Sequence, residues 1–206
     1  MVWLAAFLLL ALATHALQVP KLQQQRHISE SGFDITPWSA ERTLAAAESV
    51  RGGLSALQRG ILFDRQTELS YSGRFRGPAQ ESYRYNHKGD GIYCTVVGLL
   101  PLFDAKHRFV SGTGWPSFYA PFDMEHVAEL IKPDLKGYTE IVCRRTGLHI
   151  GHRYNDTPPP SLLRELTAGS IMHNNLSFGR YCVNANALVF VSRDSAEYSA
   201  LMDQRI

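Results

Sequence analysis

From Gly91 to the end of the chain, short runs of β-branched and aromatic residues alternate with turn residues, and this alternation limits the fold more than any other feature. Short β-rich runs separated by Gly, Pro and Asn are typical of antiparallel strands joined by tight turns. No self-similar repeat of roughly 20–50 residues is visible, which excludes a solenoid or a propeller. We predict strands within the runs 91–97, 101–109, 138–143, 148–154 and 180–191.

The sequence before these strands predicts helices. Thr36 is expected to cap a helix with Pro37 as its first residue, and the glycines at 52–53 end that helix. A second short helix is predicted within 54–61. The fold class is therefore mainly β, preceded by one or two N-terminal helices.

Residues 1–16 are predicted to be a targeting leader. Residues 3–12 are apolar and are followed by small residues, as in the core and cleavage region of a secretory signal. No acidic residue precedes Glu30, so an organelle transit peptide, for a plastid or a mitochondrion, is the alternative. The apolar run is too short for a stable membrane span. The predicted organisation is a leader at 1–16, a linker and N-terminal helix at 17–52, and one domain at 53–206.

Charge and cysteine content limit the classes of partner. The net charge is only +2 and no basic run is interleaved with aromatic residues, so nucleic acid is excluded as an expected partner. The chain has 3 cysteines, which in an oxidising compartment allow one disulfide and leave one thiol over.

Cys182 differs from the other cysteines in its neighbours. Arg180 and Asn184 lie two residues to either side, so on a strand all three side chains share one face. A cation beside a thiol lowers its pKa and favours the thiolate, which is the reactive form. The spacing therefore indicates a nucleophile, with a small buried structural cysteine as the alternative.

His149 and His152 lie three residues apart around Gly151, with Asp156 four residues further on. Metal binding would need a third and a fourth ligand, and no partner motif supplies them. Acid–base chemistry suits the pair better, because imidazole titrates near neutral pH and Asp156 could orient one ring. The alternative is a pair of ordinary histidines at the end of a strand.

Trp115 follows two glycines and precedes Pro116, which restricts its backbone. A rigid, partly exposed indole makes a good wall for a methyl group. The alternative is a core tryptophan at a tight turn.

Three segments together resemble the methionine sulfoxide reductase B family. They read Ser-Gly-Thr-Gly-Trp-Pro-Ser-Phe at 111–118, Leu-His-Ile-Gly-His at 148–152 followed by Asp156, and Gly-Arg-Tyr-Cys-Val-Asn-Ala-Asn-Ala-Leu at 179–188. The resemblance extends from residue 53 to about residue 195. It implies two small antiparallel sheets and thiol-dependent reduction of methionine-R-sulfoxide, free or in oxidised proteins, by a monomer that needs no cofactor. Thioredoxin or another thiol is the implied reductant.

The resemblance also implies a role for each matched residue. The sulfoxide sulfur is attacked by a thiolate, and its oxygen leaves only when it is protonated. The implied roles are nucleophile for Cys182, acids for His149 and His152, support of that acid pair for Asp156, stabilisation of the thiolate for Arg180, a hydrogen bond within the site for Asn184, and the substrate-binding wall for Trp115 and Phe118.

The sequence departs from the family at two sets of positions. Many members carry a resolving cysteine between the glycines of the Gly-x-Gly-Trp-Pro motif, and that position here is Thr113. Many also hold a structural zinc with four cysteines, whose positions fall here on Thr95, Gly98, Cys143 and Thr146. One ligand of four excludes a tetrahedral cysteine zinc site.

Cys94 lies one residue from a lost zinc-ligand position, so it is expected near Cys143. The two cysteines are candidates for a disulfide that replaces the metal, or for resolving thiols. The alternation of side chains on a strand argues against the disulfide, because adjacent positions face opposite ways.

The segment 157–178 is longer than the family's usual turn and is predicted to form a lid or a substrate rim. Asn155 and Asn175 fit the N-glycosylation pattern, and a glycan on Asn155 would crowd the site.

Two other classes of function remain at this point. A non-catalytic binding module on the same β scaffold predicts loss of the thiol or of the histidines, and the chain keeps them all. A cysteine hydrolase predicts activity on esters or amides and none on sulfoxides.

Overall fold

A computed structural model describes residues 25–130, 137–156 and 179–206 of the chain. In these ranges it contains eleven short strands in two sheets, two helices before the strands and one after them. The predicted leader at 1–16, all of the predicted rim at 157–178 and the glycosylation motif at Asn175 lie outside the described residues. None of the helices in the described ranges has the length and apolar character needed to cross a bilayer.

The first helix, α1 (Ala40–Glu48), begins later than predicted. Its cap is Ser39, whose side chain accepts a hydrogen bond from the backbone N–H of Arg42. Thr36 is not a cap, because its hydroxyl oxygen accepts from the N–H of His27 and its own N–H donates to Asp34. These contacts hold Thr36 in the extended segment that precedes the helix.

The other two helices also begin at serine caps. Helix α2 (Ala56–Asp64) follows Ser55, which forms a capping box with Gln58, so the predicted second helix is confirmed with its end shifted. Helix α3 (Ala196–Met202) was not predicted, although Ser195 caps it by accepting from the N–H of Tyr198.

The first sheet has five strands in the order β2-β1-β11-β3-β4. Its neighbouring strands run antiparallel except for β1 and β11, which pair in parallel at Arg76 and Val189. The strand bounds are β1 (Arg74–Arg76), β2 (Ser82–Arg84), β3 (Gly91–Thr95), β4 (Pro101–Asp104) and β11 (Leu188–Ser192).

The second sheet has six antiparallel strands in the order β5-β6-β10-β9-β8-β7, so β9 and β10 lie at its centre. A 3₁₀ turn splits the predicted run 101–109, and another at Ala185–Ala187 carries the chain from the second sheet to the first. The strand bounds are β5 (Arg108–Phe109), β6 (Ser117–Phe118), β7 (Val127–Leu130), β8 (Tyr138–Cys143), β9 (His149–Tyr154) and β10 (Arg180–Val183).

Aromatic rings join the two sheets. Phe103 of the first sheet stacks on Phe118 of the second with ring centroids 4.4 Å apart, and Tyr93 meets the same ring edge-on at 5.1 Å. All three side chains are fully buried, and burial of such rings is the main favourable term in a core of this kind. The mainly β class with two small sheets is thus confirmed, and the paired sheets provide a rigid base beneath β9 and β10.

Candidate active site

A β-bulge brings the two histidines of β9 to one face of the second sheet. His152 lies opposite Glu140 on β8, whereas His149 lies opposite Val142, so β9 has one residue more than its partner between these pairs. Without the extra residue, positions three apart would face opposite sides. The two imidazole rings instead meet edge to face, with centroids 5.2 Å apart.

Gly151, inside the bulge, allows β9 to approach β10 closely. A Cβ atom at this position would overlap the carbonyl oxygen of Cys182. The glycine is therefore required by the close packing of the histidine strand against the cysteine strand.

Cys182 lies directly opposite His152 in the register of β10 and β9. Continuing across the sheet, Glu140 faces His152 and Ser117 faces Cys182, so these four residues form one row across four strands. Facing residues of an antiparallel sheet project to the same side. The sheet therefore brings the predicted nucleophile and both predicted acids together on one face.

The immediate surroundings of Cys182 act on its thiol in opposite directions. Burial raises the pKa of Cys182 and is the largest effect, while the Arg180 charge and hydrogen bonds from Thr113 and Arg180 lower it. Arg180 thus has the predicted influence, but burial outweighs it, and the pKa lies above that of an ordinary thiol. The expected low pKa is corrected accordingly, and at neutral pH the resting group is the protonated thiol.

His149 is the more enclosed of the two histidines. Its Nδ1 lies 3.1 Å from Oε1 of Glu140, and both side chains are almost completely buried. Burial lowers the pKa of His149, the hydrogen bond that its Nδ1 makes to Glu140 opposes this effect, and the nearby His152 adds to it. Among the described residues Nε2 of His149 has no hydrogen-bond partner, which leaves it available to a ligand.

Asp156 does not support the histidines as predicted. Its carboxylate binds Arg180, with Nη2 at 2.7 Å and Nε at 2.9 Å, and the guanidinium also stacks 4.4 Å above the ring of Tyr154. Asp156 lies just after the end of β9 and contacts Arg180 at the start of β10. The acid that contacts the His149 ring is Glu140. The observed effect of Asp156 is to hold Arg180 near Cys182.

Asn184 holds neighbouring loops in place by hydrogen bonds. Because β10 ends at Val183, Asn184 is not part of the strand and the face shared with Cys182 is not expected for it. Its amide donates to the carbonyl of Ile150 at 3.3 Å and accepts from the N–H of Glu68 at 3.0 Å. The predicted hydrogen bond within the site is therefore a bond to the bulge of β9 and to the loop that carries Glu68.

Glu68 is a buried carboxylate that sequence reasoning missed. It accepts hydrogen bonds from the N–H groups of Ala185 and Asn186 and from the Asn186 amide, and burial raises its pKa. Its backbone carbonyl accepts the indole N–H of Trp115 at 3.0 Å. The loop of Glu68 thus fixes Trp115 relative to the turn after the cysteine, and no nearby motif in the sequence signals this role.

Trp115 and Phe118 have different environments. Trp115 is partly exposed beside the loop that contacts Cys182, as expected of a substrate wall. Phe118 is fully buried against Phe103, so its predicted place in the substrate site is wrong. The reason is the alternation of β6, on which Ser117 takes the face of Cys182 and Phe118 the face of the other sheet.

The two remaining cysteines, Cys94 and Cys143, are not joined by a disulfide. Cys94 and Cys143 are both free and fully buried, so the disulfide considered from the sequence is absent, and burial raises the pKa of each thiol. They lie on β3 and β8, in different sheets.

The four positions that match the family's zinc ligands do not fit that metal. They supply one thiol, two hydroxyls and a glycine, and no group of metal-binding side chains occurs in the described ranges. In their place the Arg145 guanidinium donates to the carbonyls of Asp34 at 2.8 Å and Gly98 at 2.9 Å, and its carbonyl accepts from the N–H of Trp38 at 2.7 Å.

Comparisons with known proteins match this arrangement over most of the chain. The SelR domain model matches residues 54–192. The peptide methionine sulfoxide reductase MsrB of Caulobacter vibrioides is 35% identical over 167 residues, covering 80% of this chain and 86% of that protein. The proteins of the same name from Pseudomonas fluorescens and Xylella fastidiosa are 34% and 31% identical, over 74% and 77% of this chain and 97% and 84% of their own lengths.

Proposed function

The chain belongs to the SelR-domain family of B-type peptide methionine sulfoxide reductases, and we propose that it reduces methionine-R-sulfoxide through attack by Cys182. It is an oxidoreductase, so the chemistry must move an oxygen atom and two electrons. The observation that carries the assignment of roles is the row across the second sheet, in which Cys182 faces His152 with His149 beside it.

The first step begins from a protonated thiol, because burial raises the pKa of Cys182. An imidazole of His149 or His152 takes the thiol proton, and Arg180 and Thr113 stabilise the thiolate that is formed. No proton has to enter from solvent, since the histidine that accepts this proton is also the acid needed next.

The oxygen transfer then balances within the site. The Cys182 sulfur attacks the sulfoxide sulfur, and the imidazolium gives its proton to the sulfoxide oxygen. The bond between the methionine sulfur and this oxygen breaks as the oxygen forms a new bond to the Cys182 sulfur. The transient sulfur–sulfur bond breaks as well, so methionine leaves as the thioether and Cys182 becomes a sulfenic acid. The cysteine sulfur loses two electrons, the methionine sulfur gains two, and the thiol proton ends on the sulfenic acid.

Trp115 would receive the methyl group of the substrate. Its indole is fixed by the bond to the Glu68 carbonyl, and it lies two residues from Thr113, which acts on Cys182. A rigid aromatic wall gains from burying a methyl group without losing side-chain entropy of its own.

The sulfenic acid must be returned to the thiol by external reductant. One thiol displaces water to form a mixed disulfide with Cys182, and a second thiol releases it. Cys94 and Cys143 are poorly suited to this work, because both are fully buried and have raised pKa values. We propose thioredoxin or another thiol as the donor, and the predicted leader favours the secretory pathway as the place of action, with an organelle as the alternative.

The test is turnover of the two separated sulfoxide epimers, with dithiothreitol and with a thioredoxin system. We expect reduction of the R epimer alone, and its loss in Cys182→Ser. Reduction of the S epimer, or hydrolysis of an ester without any sulfoxide reduction, would contradict the proposal.

A further inference from the structure

Glu140 is a buried carboxylate next to the proposed acid His149, and no motif in the sequence singles it out. It lies on β8 opposite His152, in the row that includes Cys182. We propose that Glu140 is a positioning residue that holds the His149 ring by its Nδ1–H, keeps Nε2 directed to the substrate oxygen and compensates the charge of the imidazolium, while Arg65 limits its effect from outside. The proposal rests on the role of His149 in the proposed function.

The geometry fixes which nitrogen carries the proton. Glu140 Oε1 lies 3.1 Å from Nδ1 of His149, and an ionised carboxylate can only accept a hydrogen bond. Nδ1 must therefore be protonated, and in the neutral ring Nε2 holds the lone pair. Since Nε2 is buried and has no partner among the described residues, it is set to take a proton from the thiol and to pass it to the sulfoxide.

The groups around His149 favour and oppose its charged form. Burial lowers the pKa of His149, and so do the neighbouring His152 on β9 and Arg65 at the end of α2, whereas Glu140 on β8 raises it. A charge in such an enclosed place is costly unless a partner compensates it. In the described part of the chain Glu140 is the acid in direct contact with the ring, so it makes a transient imidazolium accessible.

Arg65 binds the same carboxylate. Its Nε lies 3.3 Å from Oε1 and its Nη1 3.3 Å from Oε2, which is a two-pronged arrangement. The residue has a left-handed backbone, with φ of 59°, at the C-terminal cap of α2, and this turn directs its side chain towards β8. Glu140 thus shares its charge between a half-exposed guanidinium and a buried imidazole.

Opposite shifts in two variants test this arrangement. Glu140→Gln removes the effect that raises the pKa of His149, so the titration of the ring should move to lower pH. Arg65→Gln removes one effect that lowers it, so the same titration should move to higher pH. We would follow the His149 ring resonances by NMR, assigned with the variant His149→Gln, and measure single-turnover reduction across pH.

The single-turnover rate should change with the pKa of His149. At neutral pH Glu140→Gln should lose roughly 10²-fold in the single-turnover rate, which is the lower end of the contribution of a general acid. Glu129→Gln is the matched control, because Glu129 pairs with Arg153 on the same sheet at 3.5 Å without contacting either histidine. This control should keep both the His149 titration and the rate.

The possible results distinguish a failure of the role of Glu140 from a failure of the role of His149 in the proposed function. If His149→Ala keeps the rate, the role of His149 in the proposed function fails. If His149→Ala loses the rate but neither Glu140→Gln nor Arg65→Gln moves the titration, Glu140 is only structural and the proposal is overturned. Should Glu140→Gln not fold, Glu140→Asp still decides. It keeps a carboxylate but shortens its reach to Nδ1 of His149, so the titration of the ring should move to lower pH, whereas a merely structural residue would alter the melting temperature alone.

Discussion

The Thr113 side chain lies near Cys182 and lowers the pKa of its thiol. Thr113 occupies the position at which many related enzymes carry a resolving cysteine, as the resemblance of the Gly-Thr-Gly-Trp motif implies. The contact therefore places that position next to the nucleophile, with a hydroxyl that stabilises the thiolate but cannot form a disulfide.

Thr113→Cys should give the enzyme an internal resolving route. A thiol in contact with Cys182 would attack its sulfenic acid and form a disulfide with release of water. After one turnover without reductant, mass spectrometry should find this disulfide in the variant and a trappable sulfenic acid on Cys182 in the natural protein. Thr113→Ser keeps the hydroxyl and should behave as the natural protein. A persistent sulfenic acid in Thr113→Cys would contradict the proximity that we infer.

Cys182→Ser should abolish reduction, because a hydroxyl is a much weaker nucleophile than a thiolate at neutral pH. Cys94→Ala and Cys143→Ala should keep the first, reductant-free turnover, since both residues are fully buried away from the catalytic face. Quenched-flow measurement of methionine formed per enzyme checks all three variants. Loss of the first turnover in either alanine variant, with a normal melting temperature, would show that our division of roles among the cysteines is wrong.

The strands inside the five predicted runs could be predicted because each is a short run bounded by turn residues, which is a local property. Strands β6 and β7 lie outside those runs and were missed. Helix starts were less predictable, as α1 illustrates. Thr36 and Pro37 form a good local start signal, but Thr36 is bound to His27 and Asp34, and the helix begins only after Ser39. Ser195 was a usable signal for α3, because a serine cap precedes a run that contains Glu197 and Leu201.

The site residues that stand in a sequence motif could be predicted. Those whose contacts depend on the register between neighbouring strands could not. Cys182, His149 and His152 stand in recognisable segments, and the sheet brings them together. Glu140 meets His149 only because of the bulge in β9, which no local pattern fixes. Phe118 was misplaced for a related reason, since the packing of one sheet on the other decides which face of β6 is buried.

His149→Ala and His152→Ala should each slow the chemical step. General acid catalysis typically contributes about 10²–10⁴-fold, so single-turnover rates should fall on that scale. His149 should show the larger loss, because its unpartnered Nε2 is buried on the face of Cys182. Thermal melting of each variant is the control, and a large drop in melting temperature with a nearly normal rate would favour a structural role for the histidines.

Arg180→Gln should shift the reactivity of Cys182 to higher pH. The Arg180 charge is the first of the effects that lower the pKa of this thiol, so its removal raises that pKa further. The thiolate is the reactive form, and each unit of pKa reduces its population about tenfold at a pH well below the pKa. Alkylation by iodoacetamide, measured across pH, should therefore be slower at neutral pH in the variant.

The control for this shift is Arg153→Gln. Arg153 lies one residue after His152 on β9, faces the other side of the sheet and stacks on Tyr181 at 5.7 Å. The alkylation profile of this variant should match the natural protein. An equal shift in both variants would mean that general charge, and not the contact of Arg180, sets the reactivity of Cys182.

Arg145→Ala should destabilise the protein more than other surface arginine substitutions do. The guanidinium of Arg145 donates to the carbonyls of Asp34 and Gly98 and lies 5.7 Å from the centre of the Trp38 ring. It thereby ties the N-terminal segment to the turns whose positions match the zinc ligands that the family resemblance implies. Hydrogen bonds from a charged donor contribute about 1.5–3 kcal/mol each, so the two bonds predict a loss of roughly 3–6 kcal/mol in the free energy of unfolding.

Urea denaturation measures this loss, and Arg144→Ala is the matched control. Arg144 is the neighbouring residue, equally half-buried, and its guanidinium makes a single bond to the carbonyl of Glu125 at 3.1 Å. Its removal should cost about 1.5–3 kcal/mol. Added chelator should leave the natural protein unchanged, because the four positions that match zinc ligands retain only Cys143 as a thiol. Equal losses in the two variants, or a lower melting temperature with chelator, would show that Arg145 does not replace the metal as a structural link.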